Sequence, residues 1–422
     1  MDQSHQAATL PLGLYLHFPW CVSKCPYCDF NSFALREDVP GRDTVPEDQY
    51  IGVLLRDLEH QLESQAPLIA GRRIATVFMG GGTPSLFSPR AIARVLEFVR
   101  AQAGLAADAE ITLEANPGTI ERGRFAEYAA AGINRVSLGA QTFDEAALRL
   151  LGRIHSPAET HSAVNELHAA GVTNFNLDLM YGLPAQSELA ALYDVDTAIA
   201  LAPTQISHYH LTLEPGTGFA AHPPEGLPED EHTERLLAVT GERLVLAGYQ
   251  RYEVSAWARA GGASRHNLIY WQFGDYLGVG AGAHGKLSGR TADHDGLTIR
   301  RSTQLREPRR YQRDPVAALS WRDVDPAQRP FEFMLNALRL VEGFEAALFE
   351  ARTGLSWASI DTAIRQLVER GLLRRQRSAG GAMHMAPTNL GLRFLNEVLM
   401  EFLPGEGATS GRGRSQDPAK NT

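Results

Sequence analysis

The chain has little sulfur to work with. Of its 422 residues only three are cysteine, Cys21, Cys25 and Cys28. An odd number packed into one short segment excludes a disulfide framework. No second cysteine pair lies elsewhere, so a four-ligand zinc site is poorly served, although His17 is a candidate fourth ligand. Positive charge is also short: 40 Lys and Arg stand against 49 Asp and Glu, a net charge of −9, which argues against an extended nucleic-acid footprint. No apolar run approaches the roughly 20 residues of a membrane-spanning helix. Met1 to Thr9 lacks the cationic start and apolar core of a secretory signal. Reduced thiols and no such signal lead us to expect a cytoplasmic protein.

What the chain does have is the stretch Tyr15-Leu-His-Phe-Pro-Trp-Cys-Val-Ser-Lys-Cys-Pro-Tyr-Cys-Asp-Phe30, which holds every thiol. Thiolates are the usual protein ligands of iron–sulfur clusters. A [4Fe–4S] cube bound by three cysteines keeps one iron free for an exchangeable small molecule. The C-x3-C-x2-C spacing resembles that of the radical S-adenosylmethionine (SAM) superfamily. That resemblance implies a cluster whose open iron chelates SAM and whose electron cleaves it to a 5′-deoxyadenosyl radical.

At 44% hydrophobic, the chain can bury one large core or two domains. Strand-like runs begin at Leu14, Ile74, Ile111, Arg135, Asn174 and Gln205, with helical spacing between them. Six such alternations predict parallel βαβ units forming an open, partial (β/α)6 barrel over residues 12–250. In such barrels functional residues follow the C-terminal strand ends. Residues 251–328 form an extension, of which Leu287 to Asp325 is basic, Pro-rich and expected to be irregular. From Arg329 to Leu403, three helices and a hairpin resemble a smaller winged-helix-like α+β domain. Its arginines, Arg365, Arg370, Arg374, Arg375 and Arg377, suit a solvated edge better than DNA binding in so acidic a chain. Residues 1–11 and 404–422 are expected to be disordered.

Gly80-Gly81-Gly82-Thr83-Pro84 stands between a strand and a helix, and glycine permits close backbone approach to a ligand. A tight turn alone would also need it. Glu114, Gln141, Arg153 and Asp178 fall at or beyond successive strand ends. Together they offer carboxylates for an ammonium or ribose hydroxyls and a guanidinium for a carboxylate. Tyr27, inside the cysteine loop, is placed to stack on an adenine. His208 and His210 share one strand face, as Tyr15 and His17 do; such histidines usually pack, but imidazole is also a haem ligand.

Several longer runs are similar to the HemN/HemW family, which contains oxygen-independent coproporphyrinogen III dehydrogenase and its relatives. They are Leu14-Tyr-Leu-His-Phe-Pro-Trp-Cys21, Gly80-Gly-Gly-Thr-Pro-Ser85, Glu114-Ala-Asn-Pro117, Ser137-Leu-Gly-Ala-Gln-Thr-Phe143 and Asn176-Leu-Asp-Leu-Met-Tyr-Gly-Leu-Pro184. The resemblance spans about Leu12 to Leu403. The dehydrogenases carry a further cysteine two residues after the third cluster ligand, where this chain has Phe30. The branch regarded as haem chaperones carries His-Asn-x-x-Tyr-Trp, which His266-Asn267-Leu268-Ile269-Tyr270-Trp271 fits. The resemblance thus implies a chaperone that binds haem, a [4Fe–4S] cluster and SAM and transfers haem to acceptor haemoproteins. Its rival is the porphyrinogen-oxidising enzyme. It further implies reduced flavodoxin or ferredoxin as electron donor and a transient contact with membrane proteins. SAM would be touched by Tyr15, Gly81, Glu114, Gln141, Arg153 and Asp178, and a second SAM in the dehydrogenases by positions matching Tyr27, Gly82, Thr83, His210 and His284. The last two are imidazoles, suited to an iron-bearing ligand. Haem candidates are therefore His266, Asn267, Tyr270, Trp271, His284 and His210.

Overall fold

A computed structural model describes residues 11–35, 44–69, 71–118, 123–290, 296–377 and 381–404. The two segments expected to be disordered lie outside these, apart from Pro11 and Pro404.

Six strand–helix alternations build the first half. The strands are β1 (Leu12–Phe18), β2 (Ile74–Gly81), β3 (Leu105–Ala115), β4 (Arg135–Gln141), β5 (Phe175–Tyr181) and β6 (Gln205–His210). Each pairs in parallel with the next in sequence. The strands alternate. In β1, Leu12, Leu14, Leu16 and Phe18 are buried beneath the surrounding helices, while Gly13, Tyr15 and His17 point the other way. Most inward residues of the later strands are polar: Thr76, Glu110, Thr112, Glu114, Arg135, Ser137, Asn176, Asp178, Gln205 and Ser207, with Phe78 an apolar exception. A parallel strand buried on both faces usually reads as a continuous apolar run. Here one face lines a polar lumen, so the period of 2 survives in the sequence.

After helix α1 (Asp230–Leu246) the sheet gains both edges. On one side come β7 (Gln250–Glu253) and β8 (Ala256–Ala258), antiparallel next to β6. Helix α2 (Arg265–Trp271) then crosses the lumen floor, and β9 (Asp275–Val279) adds in parallel to β1. β10 (His284–Gly289), β11 (Thr298–Thr303) and β12 (Ser320–Asp323) continue antiparallel beyond it. The full order is β12-β11-β10-β9-β1-β2-β3-β4-β5-β6-β8-β7, an open sheet of 12 strands.

This corrects the expectation for Leu287 to Asp325, which is not irregular: it holds β11, β12 and part of β10. Charge masks the strand pattern. Arg300 and Arg301 sit within β11, where Arg300 pairs with Asp323 and Arg301 with Glu332. Helix α3 (Pro308–Arg313) follows β11 and docks through buried Tyr311, whose hydroxyl donates to Asp57 at 2.9 Å.

The C-terminal unit begins with α4 (Arg329–Ala337). Helices and a three-stranded sheet (Phe344–Glu345, Met383–Pro387, Leu373–Arg377) enclose a second core around Phe333, Phe344, Phe349, Ile364, Leu367 and Met385. Phe273 and Ile299 from the barrel side join that core. Beneath it, Lys286 and Arg72 both pair with buried Asp275, at 3.0 and 2.8 Å. Among the described residues no helix is long and apolar enough to cross a membrane.

Candidate functional site

The cysteine loop leaves the C-terminal end of β1, and its base is clamped. Trp20 and Cys21 pair in parallel with Phe33 and Ala34. The turn after β2 braces the same base: the Gly82 and Thr83 amides donate to the Phe18 and Trp20 carbonyls, each at 2.7 Å. A Cβ on Gly82 would lie 2.5 Å from the Trp20 carbonyl oxygen, so only glycine fits. Gly81 has φ 111°, and a Cβ there would strike the His17 ring. His17 is itself fixed, accepting from the Tyr15 hydroxyl and donating to the Asn31 carbonyl, both at 2.9 Å. Burial holds its pKa down at about 4, so the ring is neutral.

Cys21, Cys25 and Cys28 open into one cavity of about 1210 Å³, counted out to its mouth. The same cavity is lined by Tyr27, Gly81, Gly82, Thr83, Glu114, Gln141, Arg153 and Asp178, which the sequence had placed on six separate segments. Among the described residues no three His, Cys, Asp or Glu groups converge on a single ion. A lone zinc needs such convergence; a cube instead presents a separate iron to each thiolate.

Two carboxylates and one guanidinium face this cavity, and the Arg153 charge favours ionisation of Asp178. Glu114 accepts the Gly81 amide at 3.1 Å, and burial, then repulsion from Asp178, pushes its pKa up to about 8. Asp178 is raised mainly by burial, against bonds from Asn176 at 2.8 Å and Ser137 at 3.2 Å. Arg153 donates to Asn116, to the Gly139 carbonyl at 2.9 Å and towards the Cys25 sulfur at 3.6 Å. Its Nε is buried and has no partner among the described residues. The pocket thus gathers two carboxylates, a guanidinium with one free N–H and three thiols around one space. Gln141 stands in the left-handed region, φ 69°, with its amide oxygen taken by the Tyr209 hydroxyl. Such a non-glycine residue costs about 1 kcal/mol or more and marks sites under functional constraint.

Sequence reasoning missed two members of this site. Asn116 joins Arg153 to Thr83, and Tyr209 lines the mouth. Alternation along β6 would have found Tyr209, since it faces inward with Gln205 and Ser207. His208 and His210 occupy the opposite face. His208 is buried against Tyr181, and His210 stacks on Tyr181 beside Gly182. Neither borders the thiol cavity or the second cavity described below. Tyr15 also departs from expectation: it lines a second cavity and not the first.

That second cavity, of about 890 Å³, is lined by Tyr15, His17, Phe30, Asn31, Tyr270, Tyr276, His284 and Arg306, among others. Phe30, 61% exposed, borders both cavities. His284 bonds through Nδ1 to the Thr303 hydroxyl at 3.3 Å, and its Nε2 has no partner among the described residues. Its pKa is lowered by burial and by Arg301, Arg306 and Arg322, which favours the neutral, metal-binding ring.

The remaining haem candidates lie on the floor. His266 is fully buried, hydrogen-bonded to the Thr76 hydroxyl and to the Tyr270 hydroxyl, both at 2.7 Å, and stacked on Phe78. Both ring nitrogens are engaged, and burial lowers its pKa to about 3. The leading candidate from the sequence is thus no open ligand. Trp271 is covered by the Arg339 guanidinium 4.3 Å from its ring, and the Asn267 amide bonds to the Ser264 hydroxyl that caps α2. Of the motif, only Tyr270 reaches the second cavity.

Comparison with known proteins places these features in a family. Residues 15–193 match the model of the Radical SAM superfamily and residues 324–379 that of the HemN C-terminal domain. The protein called heme chaperone HemW in Haemophilus influenzae is 44% identical over 396 residues, 94% of this chain and 99% of that one. Its Escherichia coli K12 counterpart is 45% identical over 393 residues, 93% and 98% of the two chains. The solved coproporphyrinogen III oxidase (HemN) of Escherichia coli shares the fold, with TM-score 0.73 at 24% identity over 95% of this chain and 93% of that one.

Proposed function

The chain belongs to the HemW family of radical SAM proteins, and on that footing we propose that it is a cytoplasmic haem chaperone. It holds a [4Fe–4S] cluster and SAM in the first cavity and haem in the second, and it passes haem to acceptor haemoproteins.

The observation that supports this reading is the donor set gathered in the first cavity. SAM brings an ammonium, a carboxylate and ribose hydroxyls; the cavity offers Glu114 and Asp178, the free Nε of Arg153, and the Gly81–Thr83 turn. Cys21, Cys25 and Cys28, as thiolates, hold the iron. When bound, the cluster and SAM together supply one-electron radical chemistry. The chain's own part is to orient and to exclude water. Gln141 and Tyr209 fix the mouth, and Tyr27 stands over Cys25.

In the second cavity His284 offers a neutral imidazole to haem iron. Arg306 faces the same space and suits a propionate, and Tyr15, Tyr270 and Tyr276 give flat walls. Haem titration of the cluster-loaded protein by absorbance tests this. Substituting His284→Ala should remove the haem band. Unchanged affinity would remove His284 from the site.

The shared fold with HemN favours a second reading, oxidation of coproporphyrinogen III. Phe30, where the dehydrogenases are expected to carry a further cysteine, speaks against it. Rescue of a strain lacking the dehydrogenase, with protoporphyrinogen formed, would decide for the enzyme.

A further inference from the structure

Each of the three thiols faces a polar donor from outside the run Cys21 to Cys28. Arg153 Nη1 donates towards the Cys25 sulfur from 3.6 Å. The Ser32 hydroxyl lies 3.6 Å from the Cys28 sulfur. Cys21 is reached by the Thr83 hydroxyl and again by that of Ser32; burial pushes its thiol up to about 11, and both hydroxyls pull against that shift. A thiolate has no proton to give, so with Cys28 ionised the hydroxyl is the donor.

These donors differ in what else they hold. Arg153 also donates to Asn116 and to the Gly139 carbonyl, and Thr83 accepts from Asn116 at 3.0 Å. The Ser32 hydroxyl bonds to nothing but sulfur among the described residues. Its place is set by the backbone around it. The Ser32 amide donates to the Phe30 carbonyl at 2.7 Å, and its carbonyl accepts from the Lys24 ammonium at 3.1 Å. The Phe33 amide then donates to the Pro19 carbonyl at 2.7 Å, and the Leu35 amide to the Cys21 carbonyl at 2.8 Å. Ser32 is 4% exposed, so little water competes with it for the sulfur. Hydrogen bonds to the ligand sulfurs are one of the levers on a cluster's potential, because they stabilise the more negative, reduced state more.

We propose that Ser32 is a positioning residue for the redox poise of the site: its hydroxyl, donating to the Cys28 sulfur, raises the one-electron reduction potential of the cluster. The proposal rests on the cluster reading above. A role in packing alone is the weaker match, because every backbone bond that fixes the loop at Ser32 survives removal of the hydroxyl.

The test uses the reconstituted full chain without SAM, the variant Ser32→Ala, and the pair Ser32→Thr and Ser32→Val, which differ in the hydroxyl but hardly in volume. Reduction by dithionite with mediators is followed by the electron paramagnetic resonance of the reduced cluster. Loss of the donor, in Ser32→Ala and in Ser32→Val, should lower the equilibrium constant for reduction about three- to tenfold, which for one electron is about 28–59 mV. Ser32→Thr should stay near wild type. Ser23→Ala, which removes an exposed hydroxyl from the same loop, should not move the potential. Equal potentials in wild type and the two donor-free variants would overturn the proposal, as would an equal shift in Ser23→Ala. So would donor-free variants that take up less than half the iron of Ser32→Thr, since Ser32 would then serve assembly and not the potential. A wild type that takes up no iron would instead remove the cluster reading, and this proposal with it.

Discussion

SAM binding should expel a proton from Glu114, and this can be counted. The carboxyl is buried beside Asp178, and its pKa without ligand is about 8. An ammonium group placed against it, as when SAM enters the protein free of its cluster, requires the ionised form. At pH 7, one unit below that pKa, roughly nine-tenths of the molecules must first lose a proton, which weakens binding about tenfold, or about 1.4 kcal/mol. At pH 6 the penalty is about a hundredfold. The ligand's own α-amino group, with a pKa near 7.7–8.0, takes up about 0.1–0.2 proton at pH 7. The net release is therefore about 0.8 proton per SAM. Calorimetry at pH 7 in two buffers of different ionisation enthalpy measures it directly. Glu114→Gln should bind more weakly, release close to none and lose the pH slope below 8. Wild type that releases no proton, or a variant that releases as many, would refute the charge argument. A stability effect of defined sign accompanies it. The folded pKa exceeds the unfolded one, so the ligand-free protein should lose stability as pH rises from about 4.5 through 8. Glu114→Gln should flatten that loss in thermal melts.

Further substitutions separate site from scaffold. His266→Ala should cost about 2–4 kcal/mol in denaturant unfolding, since it removes two buried hydrogen bonds and a stacked ring; wild-type stability would show that the floor helix is held otherwise. Gly82→Ala should lower iron bound per chain several-fold, because the new methyl displaces the Trp20 carbonyl that frames the thiol loop. Full iron content would contradict that bracing role. Lys286→Met should destabilise by about 3–5 kcal/mol by breaking a buried pair with Asp275. A chemical melt within 1 kcal/mol of wild type would show that Arg72 alone compensates.

The first half of the fold was legible because its parallel strands keep a period of 2. Leu12, Leu14, Leu16 and Phe18 alternate with Gly13, Tyr15 and His17, and most units end in a glycine or an Asn-Pro turn. The second half was harder. Strand β11 carries Thr-Ile-Arg-Arg-Ser-Thr, and its arginines hide a strand whose partners, Asp323 and Glu332, lie more than 20 residues on. The thiol cavity was legible from strand-end chemistry, but the role of single residues was not. His266 looked like an open imidazole because no local pattern reveals that Thr76, 190 positions earlier, meets its ring. Tyr209 was passed over because the two histidines flanking it drew attention to the wrong face of the strand.

The His266–Trp271 motif is a keystone and not a hand. Its seven-residue helix is anchored to β3 through Glu110, which accepts the His266 amide at 3.1 Å. From there Tyr270 sets one wall of the second cavity, and Trp271 leans on Arg339 beside the C-terminal unit. One short helix thus fixes the spacing of three regions. Substitutions on the outer surfaces would leave this spacing untouched, while a change in the keystone would be felt at all three places at once.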